Sequence, residues 1–260
     1  MSKKIAALCF LTILSVVLLP RPSFSRGDLP LPPLWSPEVY GDVYINRTSP
    51  AAGVTPVVFS HWVHRAKYTC RVCHFELDFS MKTNDTPIVC DKGKMNGEFC
   101  ARCHNGKEAF GPEGKEGKNC DKCHNGDTPP NRTKFFELQA KLPKSKYGNE
   151  IDWTKALKDG LIKPKWTLSP DSKDQPININ KTLKLEAEMS GISSAVFPHD
   201  VHEQWLDCSI CHPEIFNIKK KTTANLNMIS MIRGETCGIC HLKIAFPLND
   251  CKRCHPEMRM

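Results

Sequence analysis

The chain has 260 residues, 40% of them hydrophobic and 25% charged, with a formal net charge of +8 and a sequence pI near 8.8. Beyond the first twenty residues no stretch is apolar enough for a transmembrane helix. The basic balance alone is weak ground for nucleic-acid or membrane binding, and the 14 cysteines and 10 histidines are the more informative part of the composition.

Lys3 and Lys4 precede an apolar run over residues 5–19, which Pro20 breaks. The run is short for a bilayer span but suits the core of a signal peptide. Small residues at Ser23 and Ser25 flank Phe24, so cleavage is expected after Ser25, with an uncleaved anchor as the alternative. Cys9 lies inside the apolar core without small residues just before it, unlike a lipid-attachment cysteine. Removing residues 1–25 takes away the charges of Lys3, Lys4 and Arg21 and leaves +5.

Six five-residue strings then recur. Cys70-Arg71-Val72-Cys73-His74 is the first, followed by Cys100/Cys103-His104, Cys120/Cys123-His124, Cys208/Cys211-His212, Cys237/Cys240-His241 and Cys251/Cys254-His255. Two thiols three residues apart can form thioether bonds to the two vinyl groups of a porphyrin, and the turn between them puts the next imidazole under the ring, within reach of iron. Chance arrangement of these cysteines and histidines gives roughly 0.03 such strings. Zinc sites need two cysteine pairs or a pair with spaced histidines. A disulfide framework gives no reason for the histidine, and a thioredoxin-like pair occurs once, beside a βαβ pattern. The spacing therefore predicts six covalently bound c-type haems, a chemistry assembled outside the cytoplasm. Each ferric haem adds roughly one negative charge through its propionates, which brings the loaded chain near neutrality. Arg71, Arg102, Lys122, Lys252 and Arg253, beside the motifs, are candidates to neutralise those propionates, or are ordinary surface.

The six strings fall into two sets of three. Val57-Val58-Phe59-Ser60-His61-x-x-His64 precedes Cys70, and Ala195-Val196-Phe197-Pro198-His199-x-x-His202 precedes Cys208; in both, the histidines stand nine and six residues before the first cysteine. The second motif follows the first after 30 residues in one set and 29 in the other, and Gly97-Glu98-Phe99-Cys100 matches Gly234-Glu235-Thr236-Cys237. Ala109-Phe110 and Ala245-Phe246 follow the second motifs. The third motif comes 20 residues later in one set and 14 in the other, the difference falling in a Gly- and charge-rich loop at 111–118. The division is a signal peptide at 1–25, a triheme module at 26–126, a connector at 127–179 and a second triheme module at 180–260. All four histidines outside the motifs sit in the two repeated strings, where i, i+3 spacing on a helix turns both rings to one side as candidate sixth ligands.

This constellation resembles the c(7)-type triheme cytochromes of the cytochrome c(3) superfamily, over both modules. The resemblance implies a multihaem cytochrome c fold: coil-rich, with short helices and a small N-terminal β-hairpin in each cytochrome c(3)/c(7)-like module. The hairpins are expected at 43–46 with 57–59 and at 183–185 with 195–197. The carry-over gives His61 to the Cys70/Cys73 haem, His64 to the Cys100/Cys103 haem, His199 to the Cys208/Cys211 haem and His202 to the Cys237/Cys240 haem. Short family members place a further histidine four residues before the second motif. Here those positions are Asn96 and Arg233, so the Cys120/Cys123 and Cys251/Cys254 haems lack an obvious sixth ligand. Some multi-domain relatives use methionine there, and Met95 and Met231 are the candidates, with Met228 a competitor and packing the plainer role for all three. Cys90, outside every motif, is open to the roles of ligand, surface thiol, intermolecular crosslink or small buried residue.

The connector is rich in proline and lysine but carries Tyr147, Trp153 and Trp166, unlike a disordered linker. Residues 153–158 read as a short helix capped by Asp152 and stopped at Gly160, and the connector is expected to drape over the modules. With so few residues per macrocycle the haems themselves should form the core, their edges partly wet. The family resemblance implies low-potential electron transfer in the bacterial envelope, periplasmic or at the cell surface. Partners would be other redox proteins such as cytochromes, quinol-linked donors or terminal reductases, and the endpoint a metal or extracellular acceptor. The chain reads as a carrier and not an enzyme. The alternatives are a reductase of a small molecule at an open iron, or a structural subunit of a cytochrome filament or outer-membrane conduit, and a homo-oligomer fits either.

Overall fold

The computed structural model describes residues 30–91, 94–114, 117–126, 128, 132–187, 192–218 and 226–259. The expected signal segment and Cys9 lie outside the described residues.

Short elements and long irregular stretches alternate along the chain. β1 (Asp42–Ile45) pairs antiparallel with β2 (Val57–Ser60), Val43 opposite Phe59 and Tyr44 opposite Val58. Their β-branched and aromatic side chains suit a pleated surface. α1 (His61–Arg65) begins where β2 ends, and the first motif follows as a wide π-type turn at Val72–Glu76. β3 (Cys90–Asp91) and β4 (Lys94–Met95) form a two-residue ladder with Cys90 opposite Met95. The second and third motifs are 3₁₀ turns at Phe99–Arg102 and Cys120–Lys122. Between them the expected loop at 111–118 folds into a ladder of β5 (Glu113–Gly114) and β6 (Gly117–Lys118).

The connector supplies α2 (Arg132–Ala140) and α3 (Trp153–Lys158). Asp152 caps α3 by accepting from the Lys155 amide at 2.9 Å, and Gly160 leaves the helix at φ +69°, a conformation that costs other residues a Cβ clash. The second module repeats the first: β7 (Thr182–Leu185) pairs with β8 (Ala195–Pro198), and α4 (His199–His202) follows directly. α5 (Cys208–Cys211), α6 (Met228–Ile232), α7 (Gly238–His241) and α8 (Cys251–Cys254) complete it. Both hairpins match the expected ones to within a residue at their outer ends. The duplication extends to backbone torsions, since Phe99 and Thr236, each just before a second motif, both sit at φ +48°. Among the described residues no helix is long and apolar enough to cross a membrane.

Besides the interior expected for the macrocycles, the protein has an apolar core of its own. Trp62 from α1, Trp205 from the second module and the connector residues Phe135, Leu142, Ile151, Ala156 and Ile162 form one buried apolar cluster. Phe135 and Ala156 have no exposed surface. The connector is therefore a wedge between the modules, not a drape over them. Neither tryptophan is matched in the other repeat: the counterpart of Trp62 is Asp200 and that of Trp205 is Lys67. The modules also touch directly, the Arg71 amide donating to the Trp205 carbonyl at 2.9 Å and the Tyr40 hydroxyl to the Ala245 carbonyl at 2.6 Å.

Candidate functional site

Each motif makes about one turn of helix. In five of the six, the histidine amide donates to the carbonyl of the first cysteine at 2.8–3.0 Å: His104 to Cys100, His124 to Cys120, His212 to Cys208, His241 to Cys237 and His255 to Cys251. That turn gathers both sulfurs and the imidazole at one end of the element. Gly238 shows how closely the second module packs here, since a Cβ on it would lie 1.9 Å from the Met231 carbonyl oxygen.

Every one of the ten histidines has Nδ1 against a backbone carbonyl. The motif histidines His74, His104, His124, His212, His241 and His255 face Phe79, Phe110, Thr55, Phe216, Phe246 and Ser193, at 2.6–2.9 Å. The others, His61, His64, His199 and His202, face Gly41, Ser60, Lys181 and Pro198 at 2.7–3.3 Å. A carbonyl only accepts, so Nδ1 carries a proton; in the neutral ring Nε2 then keeps its lone pair, the arrangement that orients imidazoles on metals. Burial reinforces it by disfavouring the imidazolium: His61 is pushed down to about 3, His64 and His241 to about 4, and His74 and His202 are also lowered. These rings are neutral at physiological pH.

The structure brings specific pairs together. His64 and His104 have ring centroids 6.2 Å apart, and so do His202 and His241. After the rings' own radii, that leaves about two metal–nitrogen bonds of roughly 2 Å each. Phe59 stacks on His64 at 4.5 Å and meets His61 edge-on at 4.8 Å; Phe197 does the same to His202 and His199 at 4.4 and 4.8 Å. His74 lies close enough to His61 to disfavour its charge further.

Burial pushes the Cys73, Cys240 and Cys254 thiols up to about 12 and those of Cys100, Cys211 and Cys237 up to about 11. Cys70, Cys103 and Cys123 are raised by burial as well. At least one thiol from each of the six motifs lines a single cavity of about 2660 Å³. A site for one small molecule takes about 300–1,000 Å³, so this interior is shaped for several large groups.

The methionines are placed differently. Met231, on α6, lines the cavity together with Met228. Met95 is not among the lining residues; it stands on β4 opposite Cys90, whose thiol is exposed and acts electrostatically on Cys123. Two of the cations offered for propionates are engaged elsewhere, which corrects that expectation. Arg71 is buried, paired with Glu76, with Asp207 at 3.3 Å and with Asp174 at 3.5 Å, and its guanidinium lies 4.7 Å from the Phe75 ring and 5.3 Å from Trp166. Arg253 pairs with Asp250 at 2.9 Å and Asp152 at 3.6 Å. The sequence signal for Arg71 was its mismatch with the repeat, where Ser209 takes its place.

Paired thiols with an adjacent imidazole, repeated around one interior and accompanied by further imidazoles held by backbone carbonyls, define a protein that holds covalent c-type haem. The family described as "Cytochrome c7 and related cytochrome c" matches residues 57–125 and 195–256, together just over half of the chain, and the chain belongs to that family of multihaem cytochromes. Among solved structures, a c7-type three-heme cytochrome domain is 36% identical over 29% of this chain and 93% of its own, with a TM-score of 0.27. The C-terminal hexaheme fragment of GSU1996 is 25% identical over 83% of this chain and 96% of its own (TM-score 0.26). The N-terminal hexaheme fragment of the same protein is 24% identical over 84% and 99% (TM-score 0.25). No curated protein matches the chain. The donor set fits the group the family carries: imidazoles oriented through Nδ1 by backbone carbonyls, thiols in pairs, and room beside them.

Proposed function

We propose that the chain holds six covalent haems and carries electrons in the envelope of a bacterium, in the periplasm or at the cell surface. The facing imidazole pairs, 6.2 Å apart at the same place in each module, are the observation that carries this reading. When bound, the haem iron supplies reversible one-electron reduction. The residues would supply the rest: the twelve motif cysteines would hold the porphyrin edges, and His74, His104, His124, His212, His241 and His255 would each bind one iron. His61, His64, His199 and His202 would supply the second imidazole at the first and second motifs of each module. The Nδ1–carbonyl bonds keep all ten rings oriented. Filled axial positions leave no place for a substrate at those four sites, which favours a carrier over an enzyme. The exported protein should show six added haem masses and a pyridine haemochrome ratio of six, with little change on carbon monoxide addition to the reduced form. A ratio below six, or stoichiometric carbon monoxide binding at the first and second motifs, overturns the assignment.

The two remaining haems would be held by Met95 at the Cys120/Cys123 site and Met231 at the Cys251/Cys254 site. Cys90 brings β3 and β4 beside Cys123, and Cys254 feels Cys237, the first cysteine after α6. A thioether opposite histidine raises a haem potential above its bis-histidine neighbours. The oxidised protein should show a near-infrared methionine-to-iron band that disappears in the Met95→Ala, Met231→Ala double variant. A wild-type spectrum without the band removes both methionines from the ligand set.

A further inference from the structure

The duplicated sequence leaves open which site in one module faces which in the other, and the junction answers with an asymmetric contact. The loop after the fifth motif, residues 242–246, docks on the start of the first module. Arg65, the last residue of α1, donates from Nη2 to the Ile244 carbonyl at 2.7 Å, and Tyr40 donates to Ala245 next door. A Cβ on Gly41, whose carbonyl orients His61, would stand 3.6 Å from both the His61 Cβ and the Lys243 carbonyl oxygen. The loop folds back on its own motif, since the Ile244 and Ala245 amides both donate to the Cys240 carbonyl at 2.9 Å. The attachment turn of the fifth motif thus rests against the residues that serve the first.

The thiols agree with this placement. Cys70 of the first module and Cys240 of the second line one and the same cavity. Arg65 lies beside all three partners, acting on Cys70, Cys240 and His241. Its guanidinium is held 5.4 Å over the Trp153 ring of the connector, and its stem is half-buried. The equivalent residue in the second module is Glu203, whose carboxylate accepts from the Ile179 amide at 3.0 Å. Among the described residues, the repeat places Glu203 in a different contact at this position.

We infer that electrons cross between the two modules where the Cys70/Cys73 and Cys237/Cys240 sites face one another, and that Arg65 is the positioning residue of that crossing. Its carbonyl bond holds the fifth-motif loop in place. Its fixed positive charge favours the reduced form at both sites, because a nearby cation stabilises the state with one more electron. The inference rests on the six-haem reading but fails separately from it, since haem count and potentials are measured independently.

The test is a redox titration of the haem-loaded protein followed by two-dimensional NMR exchange spectroscopy of the haem methyl signals, which assigns a potential to each site and an interaction to each pair. In the wild type, the strongest interaction across the module boundary is expected between the Cys70/Cys73 and Cys237/Cys240 sites. A stronger interaction for any other inter-module pair overturns the crossing. In Arg65→Gln both of those potentials should move negative with the other four unchanged, and Arg65→Lys should restore them. A shift at neither or only one of the two sites, or an equal shift at all six, removes Arg65 from the role.

Discussion

Arg71→Ala is expected to destabilise the haem-loaded protein by about 3–5 kcal/mol, the usual cost of stripping a buried ion pair of one partner. The reason is geometric. One guanidinium satisfies Glu76 of the first module, Asp174 of the connector and Asp207 of the second module, and also donates to the Trp166 carbonyl at 3.2 Å. Its loss leaves two partly buried carboxylates facing each other's segments with no cation between them. Chemical unfolding followed by tryptophan emission reads the effect, because Trp205 and Trp166 stand beside the clamp. Neutralising the partners as well, in Arg71→Met with Glu76→Gln and Asp207→Asn, should recover part of the loss, since uncompensated charge is the larger share of the cost. A single variant within 1 kcal/mol of wild type would show that solvent screens the clamp.

The clamp also sets an acid limit. Burial works to raise Glu76, but hydrogen bonds from Thr167, the Leu168 amide and Arg71 outweigh it and hold the carboxyl below its ordinary range. Asp207 is likewise held low against burial, by the Ser209 hydroxyl and amide and by Arg71. A carboxyl depressed by folding adds stability above its unfolded pKa, near 4, and that stability is lost as pH falls through the lower folded value. Unfolding midpoints of the wild type should therefore drop below about pH 4, with a shallower slope for Arg71→Ala.

Phe135→Ala should cost a similar amount, about 3–5 kcal/mol, as expected when a fully buried aromatic is truncated in a packed core. Phe135 has no exposed surface, and its ring meets Trp62 edge-on at 5.2 Å. The next residue is the control. Phe136 is 47% exposed, and Phe136→Ala should fall within about 0.5 kcal/mol of wild type. Equal effects for the two variants would mean that the connector does not pack as a wedge.

What could be read from the chain follows the range of each interaction. The helix over 153–158 and the turn of each motif depend on neighbours a few residues away and stand where spacing and capping put them, while the hairpins stand where the family resemblance implied them. The meeting of His64 with His104 required only that one short helix and one motif turn fold against a hairpin, and it recurs in both halves. The wedge was harder to see. Trp62 sits between two histidines, where its spacing says nothing about a partner 70 residues away, and α2 shows no strong apolar stripe to announce that Phe135 is buried. Arg71 lies inside a motif whose neighbours drew attention to haem edges. Comparing the repeats position by position was the available signal, because Trp62, Arg65, Arg71 and Trp205 all break the duplication, and all four lie at the junction.

The sequence by itself determined the chemistry, since paired thiols and a following imidazole at fixed spacing work within one turn whatever surrounds them. It also determined the repeat of that unit into two modules. Only the tertiary structure decided how the modules meet: which tryptophans share the connector's core, which carboxylates close around Arg71, and that the fifth motif lies against the first. Those contacts join residues far apart in the chain, and they are selected by shared burial and charge pairing, which no local spacing encodes.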